Sequence, residues 1–243
     1  MLNRKLRRRI IEQGFKRKHG HYGSSMSCLD IVKYLYDDVM TKDDIFIMSK
    51  GHGAPALHSV LETKGIKPLW SIHLELDEAK GVMATTGSLG HGLPLAIGRA
   101  YAKRFKKESG NVYVMVGDGE MEEGANWEAL IIANKLRLTN LIVIVDNNKY
   151  QAVDSVKNIV DIDDRDLQNK LDAFGCWTRI IDNGHDEEEL SMLKDKESDE
   201  INGFIINTIK GCGIPVLERN PSFHVYYFHE HPKEMEEALE NLK

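Results

Sequence analysis

Short apolar runs alternate along this chain with longer segments in which apolar residues recur every three or four positions. The short runs span four to six residues and are mostly apolar at successive positions. Such runs are typical of strands that are buried on both faces of a parallel sheet. The predicted strands cover residues 45–48, 112–116, 141–145, 177–181 and 204–209.

The longer segments have the periodicity of amphipathic helices. The predicted helices cover residues 3–19, 27–38, 54–64, 90–106, 124–136, 164–174, 187–194 and 232–242. Alternating strands and helices predict an α/β fold with a mostly parallel sheet and helices on both faces, and we expect residues 1–243 to form one domain. Residues 64–81 show neither pattern, so we expect a loop near the carboxyl edge of the sheet, where ligands bind.

Composition and charge exclude several classes of function. With 243 residues and 42% hydrophobic content, the chain can bury a full core. Its net charge of −6 gives no general attraction to nucleic acid or to an anionic membrane. The three cysteines have no metal or redox spacing, and neither a membrane span nor a signal peptide is recognisable. We therefore expect a cytoplasmic protein.

The first predicted helix carries a basic run that is compatible with nucleic-acid binding or with a solvated helix face. The basic residues are Arg4, Lys5, Arg7, Arg8 and Arg9, and the apolar residues beneath them are Leu2, Leu6, Ile10 and Ile11. Because the chain is acidic overall, we expect a solvated face.

Polar residues follow two of the predicted strands. Gly117-Asp118-Gly119 comes after one strand, and Asn148 comes after the next. Parallel strand ends meet at one edge of a sheet, so Asp118 and Asn148 can converge on one ion. Together with the carbonyl of Tyr150 they provide hard oxygen ligands for Mg²⁺, which also binds phosphate oxygens and water.

The two glycines fit a diphosphate on that metal. Gly117 and Gly119 let the backbone approach phosphates closely and point N–H groups at them. The next helix would add its positive N-terminal end. An acidic residue between glycines is also common in surface turns. The apolar strands before both polar segments favour a cofactor site.

With this motif and four further segments, the chain resembles the thiamine diphosphate enzymes, and within them the N-terminal half of transketolase. The four segments are GHYGSSMSCLDIVKYLY (20–36), MSKGHGAPALHSVL (48–61), TTGSLGHGLPLAIGRAYAKR (85–104) and TIKGCGIPVLERNPSFH (208–224). They occur in the order of the family. The resemblance implies thiamine diphosphate with Mg²⁺, or with Ca²⁺ or Mn²⁺ in its place.

The resemblance also implies roles for single residues. His21 would contact the reacting part of the sugar, and His52 the phosphate region of the cofactor. Gly87 and Leu89 would bind the aminopyrimidine through backbone groups. His224 matches a late catalytic histidine that assists proton transfer.

Several positions depart from the family pattern. His73 replaces the histidine of a GHP motif with the register shifted by about one residue, and His91 replaces a glutamine without an assigned role. Because HVYYFHEH replaces the usual sequence after the late histidine, His229 and His231 remain alternatives to His224. Glu123 occupies the position of a glutamate at the family's subunit interface, and an exposed helix-start glutamate is the alternative.

The resemblance implies transfer of a two-carbon ketol unit from a ketose, or ketose phosphate, to an aldose. In the family, a second domain carries the glutamate that activates the cofactor, and no segment of this chain matches that domain. We therefore expect a heterotetramer that includes a separate pyrimidine-binding subunit. The alternatives are the α subunit of a thiamine-diphosphate-dependent 2-oxoacid decarboxylase or dehydrogenase, and a non-catalytic interaction subunit.

Overall fold

A computed structural model describes residues 3–243 and contains one sheet of five parallel strands. The strands lie in the order β1-β2-β3-β5-β4. Their bounds are Ile45–Met48 (β1), Val112–Gly117 (β2), Leu141–Asn147 (β3), Cys176–Ile181 (β4) and Ile201–Asn207 (β5). The predicted α/β class with a parallel sheet is confirmed.

Ten α-helices are present in the described part of the chain. They are Arg4–Arg17 (α1), Tyr22–Tyr34 (α2), Ala54–Thr63 (α3), Gly92–Lys106 (α4), Gly124–Lys135 (α5), Val156–Ile159 (α6), Asp164–Ala173 (α7), Glu187–Leu190 (α8), Pro215–Glu218 (α9) and Pro232–Glu240 (α10). Shorter helical turns include a π turn at Leu35–Val39 and 3₁₀ turns at Gly51–Gly53, Glu78–Lys80, Gly119–Glu122, Ser191–Lys194 and Phe228–Glu230.

Alternate side chains of the central strands enter two separate cores. Tyr113 and Met115 of β2 pack on one face of the sheet with residues of α1, α2 and α3. Val114 and Val116 pack on the other face with residues of α4, α5 and α7. Because both faces are covered, every residue of β2 and β3 is buried, which explains the continuous apolar runs.

Some predicted boundaries are wrong. Helix α2 begins at Tyr22 instead of residue 27; its polar first turns are buried, and Ser25 Oγ donates to the His21 carbonyl at 2.8 Å. Strand β5 begins at Ile201 instead of residue 204. Its polar Asn202 is buried and bonds the carbonyl of Glu197, which the apolar pattern does not reveal.

The interpretation of the N-terminal basic run is partly wrong. Arg8 bonds Glu12 on the exposed side of α1, as a solvated face predicts. Arg7, however, is completely buried and forms an ion pair with Asp30. Ile10 and Ile11 are buried as expected, whereas Leu2 lies outside the described residues. No helix among residues 3–243 is long and apolar enough to cross a membrane.

Candidate active site

Four strands deliver polar loops to one edge of the sheet. Ser49 and Lys50 follow β1, Asp118 follows β2, and Asn148 follows β3, which lies beside β2. Strand β5 is the next neighbour of β3, so the loop with Lys210 reaches the same edge. The four loops come from the whole length of the chain, and the order of the strands brings them together.

These loops enclose a cavity of about 490 Å³. It is lined by Ser24, Lys50, His52, His73, Gly87, Leu89, Gly117, Asp118, Gly119, Glu120, Glu122, Glu123, Asn148, Tyr150, Gln151, Ala152, Val153, Lys210 and His224. Every predicted site residue except His21 lines this cavity, and the His21 ring lies 4.9 Å from that of His224. His73 belongs to the loop at residues 64–81 and lines this cavity. That part of the loop therefore lies at the carboxyl edge of the sheet, as expected.

Asp118 is a buried carboxylate in the cavity wall. The Gly119 N–H donates to its Oδ1 at 2.8 Å, and the Lys149 N–H donates to its Oδ2 at 2.5 Å. Burial, reinforced by the charge of Asp146, raises the pKa of Asp118 to about 7. Each oxygen keeps a lone pair. The carboxylate is therefore able to bind a cation that would also offset the cost of its burial.

Asn148 and Tyr150 complete the predicted set of metal ligands. The Tyr150 N–H donates to Asn148 Oδ1 at 3.0 Å, and Asn148 Nδ2 donates to Ser27 Oγ at 3.4 Å. No three His, Cys, Asp or Glu side chains between residues 3 and 243 are grouped to hold a metal. The predicted ligands are of a different kind, since one carboxylate, one amide oxygen and one carbonyl would suit Mg²⁺ with phosphate and water.

One detail of the predicted diphosphate site differs in the structure. The Gly117 N–H donates to Glu120 Oε2 at 3.1 Å, and the Gly119 N–H donates to Asp118, so both amides bond carboxylates instead of pointing into the cavity. A 3₁₀ turn follows Asp118, and α5 begins at Gly124, as predicted.

Sequence reasoning missed two lysines that supply positive charge. Lys210 lines the cavity and donates to the Gln151 carbonyl at 3.2 Å; burial, followed by the charge of Lys50, lowers its pKa to about 8. Lys50 also lines the cavity and pairs with the buried Asp146. Both lysines occur in quoted family segments, TIKGCG and MSKGH, which was the available signal.

Four histidine rings form a cluster at the cavity. The His21 ring centroid lies 6.3 Å from His52, 5.5 Å from His73 and 4.9 Å from His224. Burial, with His224 as the next contributor, lowers the pKa of His21 to about 4. Burial also lowers the pKa of His224, and that of His52 well below its usual value. Neutral imidazoles can both accept and donate hydrogen bonds.

The alternative histidines lie elsewhere. His231 stacks on Tyr226 with ring centroids 5.0 Å apart, and His229 contacts Tyr227. Neither lines the cavity, whereas His224 does. His91 is exposed at the start of α4. Of the three candidates for the late catalytic histidine, the structure therefore brings only His224 to the site.

A second cavity of about 450 Å³ shares Asp118 and Glu122 with the first. Its lining is mostly apolar and includes Met121, Trp127, Leu167 and Phe174. An apolar wall offers few partners for phosphate or sugar hydroxyls. The polar cavity with the histidines is the better candidate site.

Comparison with known proteins agrees with this geometry. Residues 3–231 match the family described as transketolase, thiamine diphosphate binding domain. The chain is 38% identical to one subunit of the apulose-4-phosphate transketolase of Actinobacillus succinogenes, over 92% of this chain and 88% of that protein. It is 31% identical to 6-deoxy-6-sulfo-D-fructose transketolase subunit SqwG of Clostridium sp., over 90% of this chain and 87% of that protein.

A solved transketolase from Leishmania mexicana superimposes on the chain with a TM-score of 0.78 and 26% identity. It covers 99% of this chain, but the chain covers only 40% of that protein. These relatives do not favour the 2-oxoacid decarboxylase alternative, since all three are transketolases or transketolase subunits. The site and the matched family lead to one conclusion: the chain belongs to the transketolase N-terminal family, the thiamine diphosphate binding domain of transketolase.

Proposed function

We propose that this chain is the N-terminal subunit of a split transketolase. In this proposal it transfers a two-carbon ketol unit from a ketose phosphate to an aldose, and a separate pyrimidine-binding subunit completes the site. The observation that carries the proposal is one cavity that combines the Asp118 and Asn148 oxygens with a cluster of histidines. Two relatives of similar length are named as subunits, and the solved transketolase is much longer.

The diphosphate end of the cofactor would lie against Asp118, Asn148 and Tyr150, with Mg²⁺ between them. Ca²⁺ and Mn²⁺ also accept oxygen ligands and are the alternatives. Lys210 would supply a positive charge for the phosphates. His52 would lie in the phosphate region, and the backbone of Gly87 and Leu89 would hold the aminopyrimidine.

The histidine cluster would act on the sugar. Thiamine diphosphate, when bound, supplies the carbon nucleophile and the electron sink for cleavage of the bond beside a ketone. The buried Nδ1 of His21 has no hydrogen-bond partner within residues 3–243, and in this proposal the ring contacts the sugar. His224 would move the proton during cleavage, and His73 would orient a hydroxyl.

Exposed apolar side chains around the cavity support the proposed partner subunit. Val153 is 82% exposed and lies in the cavity wall. Ile209 and Phe223, which adjoin the wall residues Lys210 and His224, are also exposed. Apolar groups exposed together at a site mark a surface for another protein. A partner there would also keep water away from the reaction.

A second exposed apolar surface supports self-association into a heterotetramer. Helices α4 and α5 pack side by side, and both expose large apolar residues. These residues are Leu95, Tyr101, Phe105, Ile131 and Ile132. Glu123, immediately before α5, also lines the cavity, so a pair of chains at this surface would bring two sites close together.

We further propose that residues 1–243 act as one domain in the cytoplasm. The three cysteines are buried free thiols, which is compatible with a reducing compartment.

Reconstitution tests the function. The chain is purified alone and together with the candidate pyrimidine-binding subunit, and thiamine diphosphate and Mg²⁺ are added. Ketol transfer is then assayed from a panel of ketose phosphates to aldoses. We expect turnover only when both subunits are present. Turnover by the chain alone would refute the need for a partner. Decarboxylation of pyruvate without ketol transfer would favour the 2-oxoacid alternative, and failure to bind the cofactor would favour a non-catalytic role.

A further inference from the structure

Glu120 accepts hydrogen bonds from three different loops of the site. Its carboxylate is 2% exposed. Ser49 Oγ and the Gly90 N–H donate to Oε1 at 2.5 and 2.9 Å, and the Gly117 N–H donates to Oε2 at 3.1 Å. Ser49 follows β1, Gly90 precedes α4, and Gly117 ends β2. One side chain thus connects all three loops.

The same loops are packed too tightly to change their spacing freely. A Cβ built on Gly90, whose φ is +77°, would lie 2.7 Å from Glu123 Cβ. A Cβ on Gly51 would lie 2.6 Å from the Gly87 backbone N. The Gly92 N–H also donates to Ser49 Oγ at 3.1 Å, which adds a second link between two of the loops. Glu120 and Ser49 therefore form the polar centre of this junction.

We infer that Glu120 is a positioning residue that sets the distance between the two ends of the cofactor site. This inference rests on the proposed function, which assigns the diphosphate and metal to the loop of Asp118 and the aminopyrimidine to Gly87 and Leu89. Glu120 holds the amide of Gly117, next to Asp118, and the amide of Gly90, next to Leu89. A ligand that bridges both loops depends on their spacing, whereas a ligand that occupies one loop does not.

A carboxylate is required because the three donors all need an acceptor. Ionised glutamate is acceptor-only and has about four lone-pair sites. Glutamine has one acceptor oxygen, and its NH₂ group would face one of the three donors. The Glu120→Gln substitution therefore preserves shape and volume but leaves at least one buried donor without a partner.

Calorimetric titration of the chain assembled with its pyrimidine-binding subunit compares a bridging ligand with a ligand of one loop. Glu120→Gln is titrated with thiamine diphosphate and Mg²⁺, and separately with magnesium pyrophosphate. We expect affinity for thiamine diphosphate to fall about tenfold or more, the worth of a charge-assisted hydrogen bond, while affinity for pyrophosphate changes less than about threefold. The exposed Glu108→Gln is the control and should match the wild type for both ligands.

Amide hydrogen exchange by NMR gives a readout that does not need the cofactor. The Gly90 and Gly117 amides should exchange faster in Glu120→Gln than in the wild type, while the melting temperature falls by only a few degrees. Equal losses of affinity for both ligands would overturn the inference in favour of general destabilisation. Wild-type affinities or unchanged exchange would also overturn it. If the assembled wild type does not bind thiamine diphosphate, the proposed function fails, and the exchange rates still test the role of Glu120.

Discussion

Asp118→Asn should stabilise the cofactor-free chain and at the same time abolish its response to metal and cofactor. The substitution keeps the size of the side chain and removes its charge. Asp118 is buried close to Asp146, and its pKa is raised from 3.8 to about 7. A folded-state pKa above the unfolded value means that ionisation opposes folding.

The magnitude follows from that shift. A difference of about 3 pKa units corresponds to about 4 kcal/mol. The penalty is absent below pH 3.8, grows as the pH rises, and is complete above about pH 7. Asn has no charge, so the variant avoids this penalty. Its NH₂ group, however, would face one of the two backbone N–H groups that now bond the carboxylate, at a cost of about 1–3 kcal/mol. The net stabilisation at pH 8 should be about 1–3 kcal/mol.

Urea denaturation of the cofactor-free chain at pH 4, 6 and 8 measures this effect. The free energy of unfolding of the variant, relative to the wild type, should increase from pH 4 to pH 8. Thiamine diphosphate with Mg²⁺ should raise the melting temperature of the wild type but not that of the variant, because a ligand stabilises only the protein that binds it. The exposed Asp199→Asn serves as the control and should respond like the wild type.

Two results would refute this reasoning. A variant that is less stable than the wild type at pH 8 would show that the carboxylate stabilises the fold. A variant that gains as much stability from metal and cofactor as the wild type would remove Asp118 from the metal site.

Three further predictions concern other buried groups. His21→Ala and His224→Ala should each lower turnover of the assembled enzyme by about two to four orders of magnitude, with little change in cofactor affinity. A variant with wild-type turnover would exclude that histidine from catalysis. Burial lowers the pKa of His21 from 6.5 to about 4, so the neutral ring contributes to the free energy of unfolding above pH 6.5. Up to about 3 kcal/mol of this contribution should be lost as the pH falls towards 4. NMR titration of the ring checks this, and a pKa near 6.5 would contradict it. Arg7→Met leaves the buried Asp30 without its guanidinium partner and should lower the free energy of unfolding, measured by urea denaturation, by about 3–5 kcal/mol. The exposed Arg8→Met should lower it by less than about 1 kcal/mol. Equal effects would contradict the buried-pair interpretation.

The Arg7 network shows what only the structure reveals about the basic run. Arg7 Nε donates to the Cys212 carbonyl at 2.8 Å, and Asp30 also contacts His185 Nδ1 at 2.8 Å. Burial disfavours the charged form of His185, whereas bonding with Asp30 favours it. The Ile209 N–H, however, donates to His185 Nε2 at 3.0 Å, which an imidazolium could not accept. We therefore assign the neutral ring with its proton on Nδ1.

The sequence alone determined the class of fold and most of the residues at the site. Strands that are buried on both faces must be apolar at successive positions, so β2 and β3 could be recognised without knowledge of their neighbours. Asp118 and Asn148 could be paired because each directly follows such a strand. The resemblance supplied the histidines, since their positions along the chain follow no periodicity.

Only the tertiary structure decided how the polar groups are paired. Gly117 and Gly119 were predicted to face phosphates, but their N–H groups bond Glu120 and Asp118. Glu120 and Lys210 carried no periodic signal, and nothing in their local sequence distinguishes a buried side chain from a solvated one. Their partners lie on loops that are distant along the chain and meet only because β1, β2, β3 and β5 are neighbours in the sheet. Hydrogen bonds and pKa values depend on distances of a few ångströms between such loops, which local sequence patterns do not encode.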